Sequence, residues 1–154
     1  MPQLTDLINA GQSVWLDNMS RALIDSGELR RLIDMGVRGA TANPTILDKA
    51  ISGSLDYDGD IHRLTTEGKS PLEIYEILAI DDIGRAADLF HPLYEDTAGG
   101  DGYMSLEVSP LIAYDTDETI ARVRDLHKAL HRENVMIKVP ATQPGIPAIA
   151  ALTS

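Results

Sequence analysis

Val-Met-Ile-Lys-Val-Pro-Ala, residues 135–141, sets a single lysine, Lys138, in the middle of an apolar, β-branched run. Side chains alternate along a strand, so Met136, Lys138 and Pro140 point to one face and Val135, Ile137 and Val139 to the other, and both faces read as buried. Burial disfavours the ammonium form, lowers the pKa of a lysine and leaves the free amine that attacks a carbonyl carbon, which makes Lys138 a Schiff-base candidate. A plainer reading is open for the same stretch: a lysine near a strand end whose stem reaches solvent. The other strands decide between them.

Three further strands are expected upstream, over residues 13–18, 37–42 and 103–108. Between the first two lie a short helical turn from near Ser20 and a helix capped by Ser26. Leu29, Leu32 and Ile33 form its apolar face, and Gly36 stops it. Asn43-Pro44 opens another helix, with proline at its first position. Residues 52–60 read as a polar loop. A long helical region from about residue 60 to 98 is interrupted at 67–70, where Ser70-Pro71-Leu72-Glu73 is a capping box, and Pro92 is expected to bend or end it. Residues 99–102 form a loop, and Asp115 or Thr116 caps a helix with Ile120, Val123, Leu126 and Leu130 on one face. Alternating strands and helices imply a parallel sheet, and no repeat, low-complexity tract or linker divides residues 1–154.

The composition fits one globular unit: 154 residues, 44% of them hydrophobic, can bury a substantial core. A formal charge of −11 argues against a nucleic-acid partner or an anionic membrane surface, both of which need a basic patch. With no cysteine, disulfides and thiolate metal sites are excluded, which fits a reducing compartment. The first residues, Met-Pro-Gln-Leu-Thr-Asp, lack the basic-then-apolar pattern of a signal peptide, and no apolar run approaches the roughly 20 residues of a membrane span. A cytoplasmic location is expected.

Applied to every strand, alternation groups Trp15 with Asp17, then Val37, Gly39, Thr41 and Asn43, then Ser105, Glu107 and Ser109. A polar or ionisable residue thus stands at or near each strand's C-terminal end: Asp17, Asn43, Glu107 and Lys138. The C-terminal ends of parallel strands form the ligand-binding rim of α/β proteins. Asp, Glu and Lys are rarely buried unless paired, so the alternative to a functional rim is a structural Asp–Lys or Glu–Lys ion pair.

Residues 36–45, Gly-Val-Arg-Gly-Ala-Thr-Ala-Asn-Pro-Thr, and 134–142, Asn-Val-Met-Ile-Lys-Val-Pro-Ala-Thr, closely resemble the two signature stretches of the transaldolase family. Residues 14–21, Val-Trp-Leu-Asp-Asn-Met-Ser-Arg, and 105–110, Ser-Leu-Glu-Val-Ser-Pro, resemble its other rim strands. The likeness extends over essentially the whole chain, in the right order, and is strongest to the branch that includes fusions with glucose-6-phosphate isomerase. One position departs from the commoner pattern: Ala42 stands where many members carry a second threonine, and its parity directs it toward the helices.

The resemblance implies an α/β fold of the (βα)8 TIM-barrel type, of which this chain holds the first four βα units, a half-barrel. It implies transfer of a dihydroxyacetone unit from a ketose phosphate, sedoheptulose 7-phosphate or fructose 6-phosphate, to an aldose phosphate in the pentose phosphate pathway. Lys138 would be the Schiff-base nucleophile and Asp17 the general acid/base for carbon–carbon cleavage. Asn43 and Thr41 would bind substrate, and Glu107 would orient the water that shuttles protons. No metal or organic cofactor is required, and sugar phosphates are the expected partners. A complete barrel takes about 250 residues, and the family's phosphate-gripping arginine belongs to later strands. The 154 residues alone are therefore expected to be inactive in full transfer and to associate through open sheet edges. A Schiff-base aldolase that releases the three-carbon unit, and an inactive fragment that serves only in assembly, remain alternatives.

Two metal-like patterns carry little weight. Asp56, Asp58, Asp60 and Glu67 mimic positions of a calcium loop, yet Ile61 stands where that loop needs glycine. His127 and His131 lie one helical turn apart without an evident third ligand. No phosphate-binding or dinucleotide fingerprint is present.

Overall fold

A computed structural model describes residues 4–154, which leaves Met1 to Gln3 of the N-terminal stretch outside. The elements run α1 (Leu4–Asn9), β1 (Trp15–Asp17), α2 (Arg21–Asp25), α3 (Glu28–Asp34), β2 (Gly39–Thr41), α4 (Pro44–Ser52), α5 (Asp58–Thr66), α6 (Pro71–Asp96), β3 (Tyr103–Glu107), α7 (Thr116–Leu130), β4 (Val135–Lys138) and α8 (Gly145–Thr153). Short 3-10 turns at Leu55–Tyr57 and Pro110–Ile112 precede α5 and α7. The four strands form one parallel sheet in the order β1-β2-β3-β4. This is an α/β fold in which parallel strands alternate with helices, as the crossover connections between parallel strands require.

One face of the sheet is buried under the helices. Ala40, Met104, Leu106 and Val135, with Leu16 and Ile137 at the margins, pack into a core with Ile83, Ala86, Ala87 and Phe90 of α6 and Val123, Leu126 and Leu130 of α7. Each fully buried large side chain contributes about 1.5–3 kcal/mol. Ala42, just past β2, is fully buried in that core, so the smaller residue fits the helix side of the sheet.

Local chemistry accounts for the helix starts. Ser70 accepts the Glu73 N–H (3.4 Å), while the Glu73 carboxylate accepts the Ser70 N–H (2.8 Å), a complete capping box on the longest helix. Asp115 rather than Thr116 caps α7, accepting the Glu118 N–H (2.9 Å). Other expectations are corrected. Gly27, left-handed at φ 78°, rather than Ser26 holds the N-cap position of α3; Ser26 closes α2, and its hydroxyl accepts the Glu28 N–H (3.3 Å). Residues 52–60 are not a loop, because Ser54 caps a 3-10 turn that buries Tyr57, and Asp58 and Asp60 occupy the favourable first turn of α5. Pro92 does not end α6, which continues to Asp96. Phe90, Leu89 and Leu93 are held in the core on both sides of it, and that burial offsets the about 3 kcal/mol an internal proline costs. The helix α1 had no counterpart in the sequence reading; its Leu4 packs against the core.

Among the described residues no helix is long and apolar enough to cross a membrane. The surface carries paired charges. Arg132 donates to both oxygens of Asp88 (2.7 and 2.8 Å), which lowers the Asp88 pKa, and hydrogen bonds from Arg63 and Arg21 lower that of Asp60. Their folded pKa values lie below the unfolded value of about 3.9, so in between the unfolded chain binds more protons and stability rises with pH. Their contribution is present above the unfolded value and lost as pH falls through the folded one. Asp82 has the opposite sign: burial raises its pKa despite hydrogen bonds from Tyr57 and Arg21, so its contribution weakens as pH rises. The expected net result is a falling urea midpoint below about pH 4, with a shallower fall in Asp88→Asn. A midpoint that rises on acidification would show that Asp82 dominates.

Candidate active site

The second face of the sheet is not covered by helices, and register fixes who shares it. Trp15, Gly39 and Tyr103 stand in one row, Asp17, Thr41, Ser105 and Met136 in the next, and Glu107 and Lys138 in the last. Residues directly paired across strands point the same way. At the N-terminal end the indole of Trp15 lies so close over Gly39 that a Cβ there would meet it at 2.5 Å. Its Nε1 donates to Ser13 Oγ (3.0 Å), which donates to Asp101 (2.5 Å), and Arg38 pairs with the same carboxylate (3.1 Å). That end of the face is closed by packing, and the polar residues lie toward the strand C-termini.

Asp17, Thr41, Glu107 and Lys138 are the last residues of β1, β2, β3 and β4, respectively. Lys138 and Glu107 are register partners, with Nζ 3.5 Å from a carboxylate oxygen. Their side chains are 36% and 31% exposed, and Met136 is 43% exposed, so the burial expected on both faces of β4 is not found. The reason is architectural: Val135 and Ile137 pack into the core beneath the helices, while Lys138 and Met136 do not join it. Asp17 is exposed at the opposite edge of the sheet. At about 4.8 Å per strand and about 3.3 Å per residue, three strand spacings and a two-residue offset set Asp17 about 16 Å from Lys138 along a flat sheet, so the two share a face without touching. Thr41 lies between them with its Oγ1 shut off from solvent and without a hydrogen-bond partner, and Ser105, 4% exposed, is its register partner. An unsatisfied buried hydroxyl costs about 1–3 kcal/mol unless a ligand or water meets it.

Asn43 opens α4, as Asn43-Pro44 suggested. It is the N-cap of α4, its Oδ1 accepting the Ile46 N–H at 2.9 Å. That leaves its Nδ2 as the group able to donate to a ligand. The acid-rich stretch 56–60 is absorbed by ion pairing, with Asp60 bonded to Arg21 (2.7 Å) and Arg63 (2.9 Å). Among the described residues no three His, Asp or Glu side chains gather as metal ligands.

Sequence reasoning missed a second polar centre, behind the β1–α2 turn. Arg21, 7% exposed, donates from Nε to Asp82 (3.0 Å) and from Nη1 to Asp60 (2.7 Å), and lies 4.5 Å over the Tyr57 ring. Burial works against its charge, but the hydrogen bonds to Asp60 and Asp82 outweigh that and raise its pKa. The available signal was an arginine following Ser20 and a double aspartate, 81–82, interrupting the apolar pattern of α6.

The arrangement offers an amine beside a carboxylate, a second carboxylate, a hydroxyl and an amide donor along one rim, which is chemistry suited to a carbonyl substrate bearing hydroxyls. Over 152 residues the chain is 49% identical to the transaldolase of Trichodesmium erythraeum, covering 98% of this chain and 40% of that protein. It is 44% identical over 154 residues to the transaldolase of Neisseria gonorrhoeae, covering 100% and 44%, and 48% identical over 147 residues to that of Saccharopolyspora erythraea, covering 95% and 40%. The chain spans about two fifths of the length of these relatives. The model of the transaldolase/fructose-6-phosphate aldolase family matches residues 14–154, all four strands and the whole polar rim included, and the chain belongs to that family.

Proposed function

We propose that these residues carry the Schiff-base chemistry of a transaldolase, acting on sugar phosphates in the cytoplasm as a step of the pentose phosphate pathway. The amine of Lys138 adds to the ketone carbon of fructose 6-phosphate or sedoheptulose 7-phosphate. The carbinolamine then loses water to become an iminium, with Glu107 passing protons through an ordered water. Asp17 takes the proton of the hydroxyl on the fourth carbon. The bond between the third and fourth carbons breaks, its electron pair moves into the iminium to give an enamine, and an aldose phosphate leaves. The reverse sequence on an acceptor aldehyde completes the transfer. Thr41 and Asn43 are proposed to bind substrate hydroxyls. The observation that carries this reading is the Lys138–Glu107 pair at 3.5 Å, on the one sheet face that helices leave open.

Four βα units are proposed to be half of an eight-stranded barrel. Supporting this, β1 and β4 each have one unpaired edge among the described residues, beside exposed Met136. The 154 residues alone are then expected to form the imine, to fall short of acceptor-dependent transfer, and to self-associate by pairing those edges. Intact mass after borohydride reduction tests the reading. Fructose 6-phosphate should leave a covalent adduct and glucose 6-phosphate, held as the ring form of an aldose, about a hundredfold less by the ketone requirement. Equal labelling by both sugars would refute a ketose-directed site. Release of free dihydroxyacetone, with triose phosphate beyond one equivalent per site and no acceptor aldehyde present, would favour the aldolase member of the family instead.

A further inference from the structure

We propose that Arg21 is a positioning residue: clamped by Asp82, Asp60 and Tyr57, it fixes the β1–α2 turn and thereby the place of Asp17 on the rim. The inference rests on the role proposed above for Asp17. Three residues separate Asp17 from Arg21, and each of the last two is pinned. Met19 is fully buried in the core and Ser20 caps α2 by accepting the Leu23 N–H (3.2 Å). The backbone N–H of Arg21 donates to the Tyr57 hydroxyl (2.8 Å), and that hydroxyl donates to Asp82 Oδ2 (2.7 Å), while the Arg21 Nε takes Asp82 Oδ1 (3.0 Å). One carboxylate therefore holds both the main chain and the side chain of the residue that ends the turn. Nη1 adds Asp60 (2.7 Å) and the Asp56 carbonyl (3.4 Å), and Nη2 adds Asp81 (3.4 Å).

Asp81 and Asp82 sit on α6, the helix that packs on β3, whose last residue is Glu107. The clamp thus refers the position of Asp17 to the same helix that supports the Glu107–Lys138 pair, across a sheet in which Asp17 makes no contact with either. A buried ion pair is a poor way to gain stability, since apolar residues of similar volume do as well or better. What a fully engaged guanidinium fork provides is one defined geometry, and preorganised placement of an acid/base within about an ångström is what catalysis requires.

Tyr57→Phe removes a single hydroxyl and keeps the ring beneath Arg21; Arg21→Lys keeps the charge and loses the fork. Hydrogen–deuterium exchange on both variants of the 154-residue chain should show the amides of residues 17–21 exchanging at least tenfold faster, with those of β2, β3 and the middle of α6 within twofold of the parent. Unchanged exchange at 17–21, or loss spread equally over α5 and α6, would overturn the clamp. With fructose 6-phosphate, both variants should still trap the imine on Lys138 within twofold of the parent, while single-turnover release of triose phosphate falls at least tenfold. Unaltered release would overturn the clamp even if exchange rises. If the parent traps no imine, the proposed function fails instead, and exchange alone decides the clamp.

Discussion

Asp82→Ala is expected to lower folding stability by about 3–5 kcal/mol, because it removes one partner of a buried pair and leaves the other charge uncompensated. Asp82 is 1% exposed and accepts from both the Arg21 Nε and the Tyr57 hydroxyl. Without it the hydroxyl loses its acceptor, and the guanidinium retains the Asp56 carbonyl and, as charged partners, only Asp60 and Asp81, which are 35% and 54% exposed. Pairs of that kind contribute about 0–1 kcal/mol. Asp60→Ala should accordingly cost less than about 1 kcal/mol. The comparison can be read from urea unfolding followed by the fluorescence of Trp15, the single tryptophan. At about 2–4 °C per kcal/mol the melting temperature of Asp82→Ala should drop by roughly 6–20 °C. Equal losses in the two variants would mean that burial does not set the strength of this network.

Glu107→Gln should slow imine formation by about 10²–10⁴-fold, the usual contribution of a positioned acid/base, while changing stability by less than about 1 kcal/mol. The contrast separates the two readings of the Lys138–Glu107 pair. A structural ion pair between side chains 36% and 31% exposed is screened by solvent, so its loss would leave the imine rate within a few-fold. A proton-handling carboxylate is worth little to folding and much to dehydration of the carbinolamine. Stopped-flow trapping of the adduct gives the rate, and urea midpoints give the stability. A rate unchanged alongside a clear loss of stability would make Glu107 a structural partner.

What was legible in the sequence was local. The capping box at Ser70 and Glu73 and the cap at Asp115 rest on hydrogen bonds within three residues. The period of two in each strand determines that Asp17 shares a face with Trp15, and Glu107 with Ser105. Alternating strand and helix signals suffice for a parallel sheet, because crossovers admit few other arrangements. What was not legible depended on contacts between distant segments. Tyr57 looked like loop polarity because its partners, Arg21 and Asp82, lie 36 and 25 residues away. Pro92 looked like a bend or an end of the helix because propensity knows nothing of the core that holds Phe90. Lys138 looked buried because β-branched neighbours do not tell which face of a sheet the helices cover. Asn43 carried two compatible meanings, a cap and a ligand, and only the cap has a local signature.

The chain has four lysines, Lys49, Lys69, Lys128 and Lys138, so the central claim reduces to which of them forms the imine. Peptide mass mapping after borohydride reduction with fructose 6-phosphate measures this directly. The account predicts the reduced adduct on Lys138 alone, and none on any lysine in Lys138→Met. An adduct on Lys49, Lys69 or Lys128, or labelling that survives Lys138→Met, would contradict it.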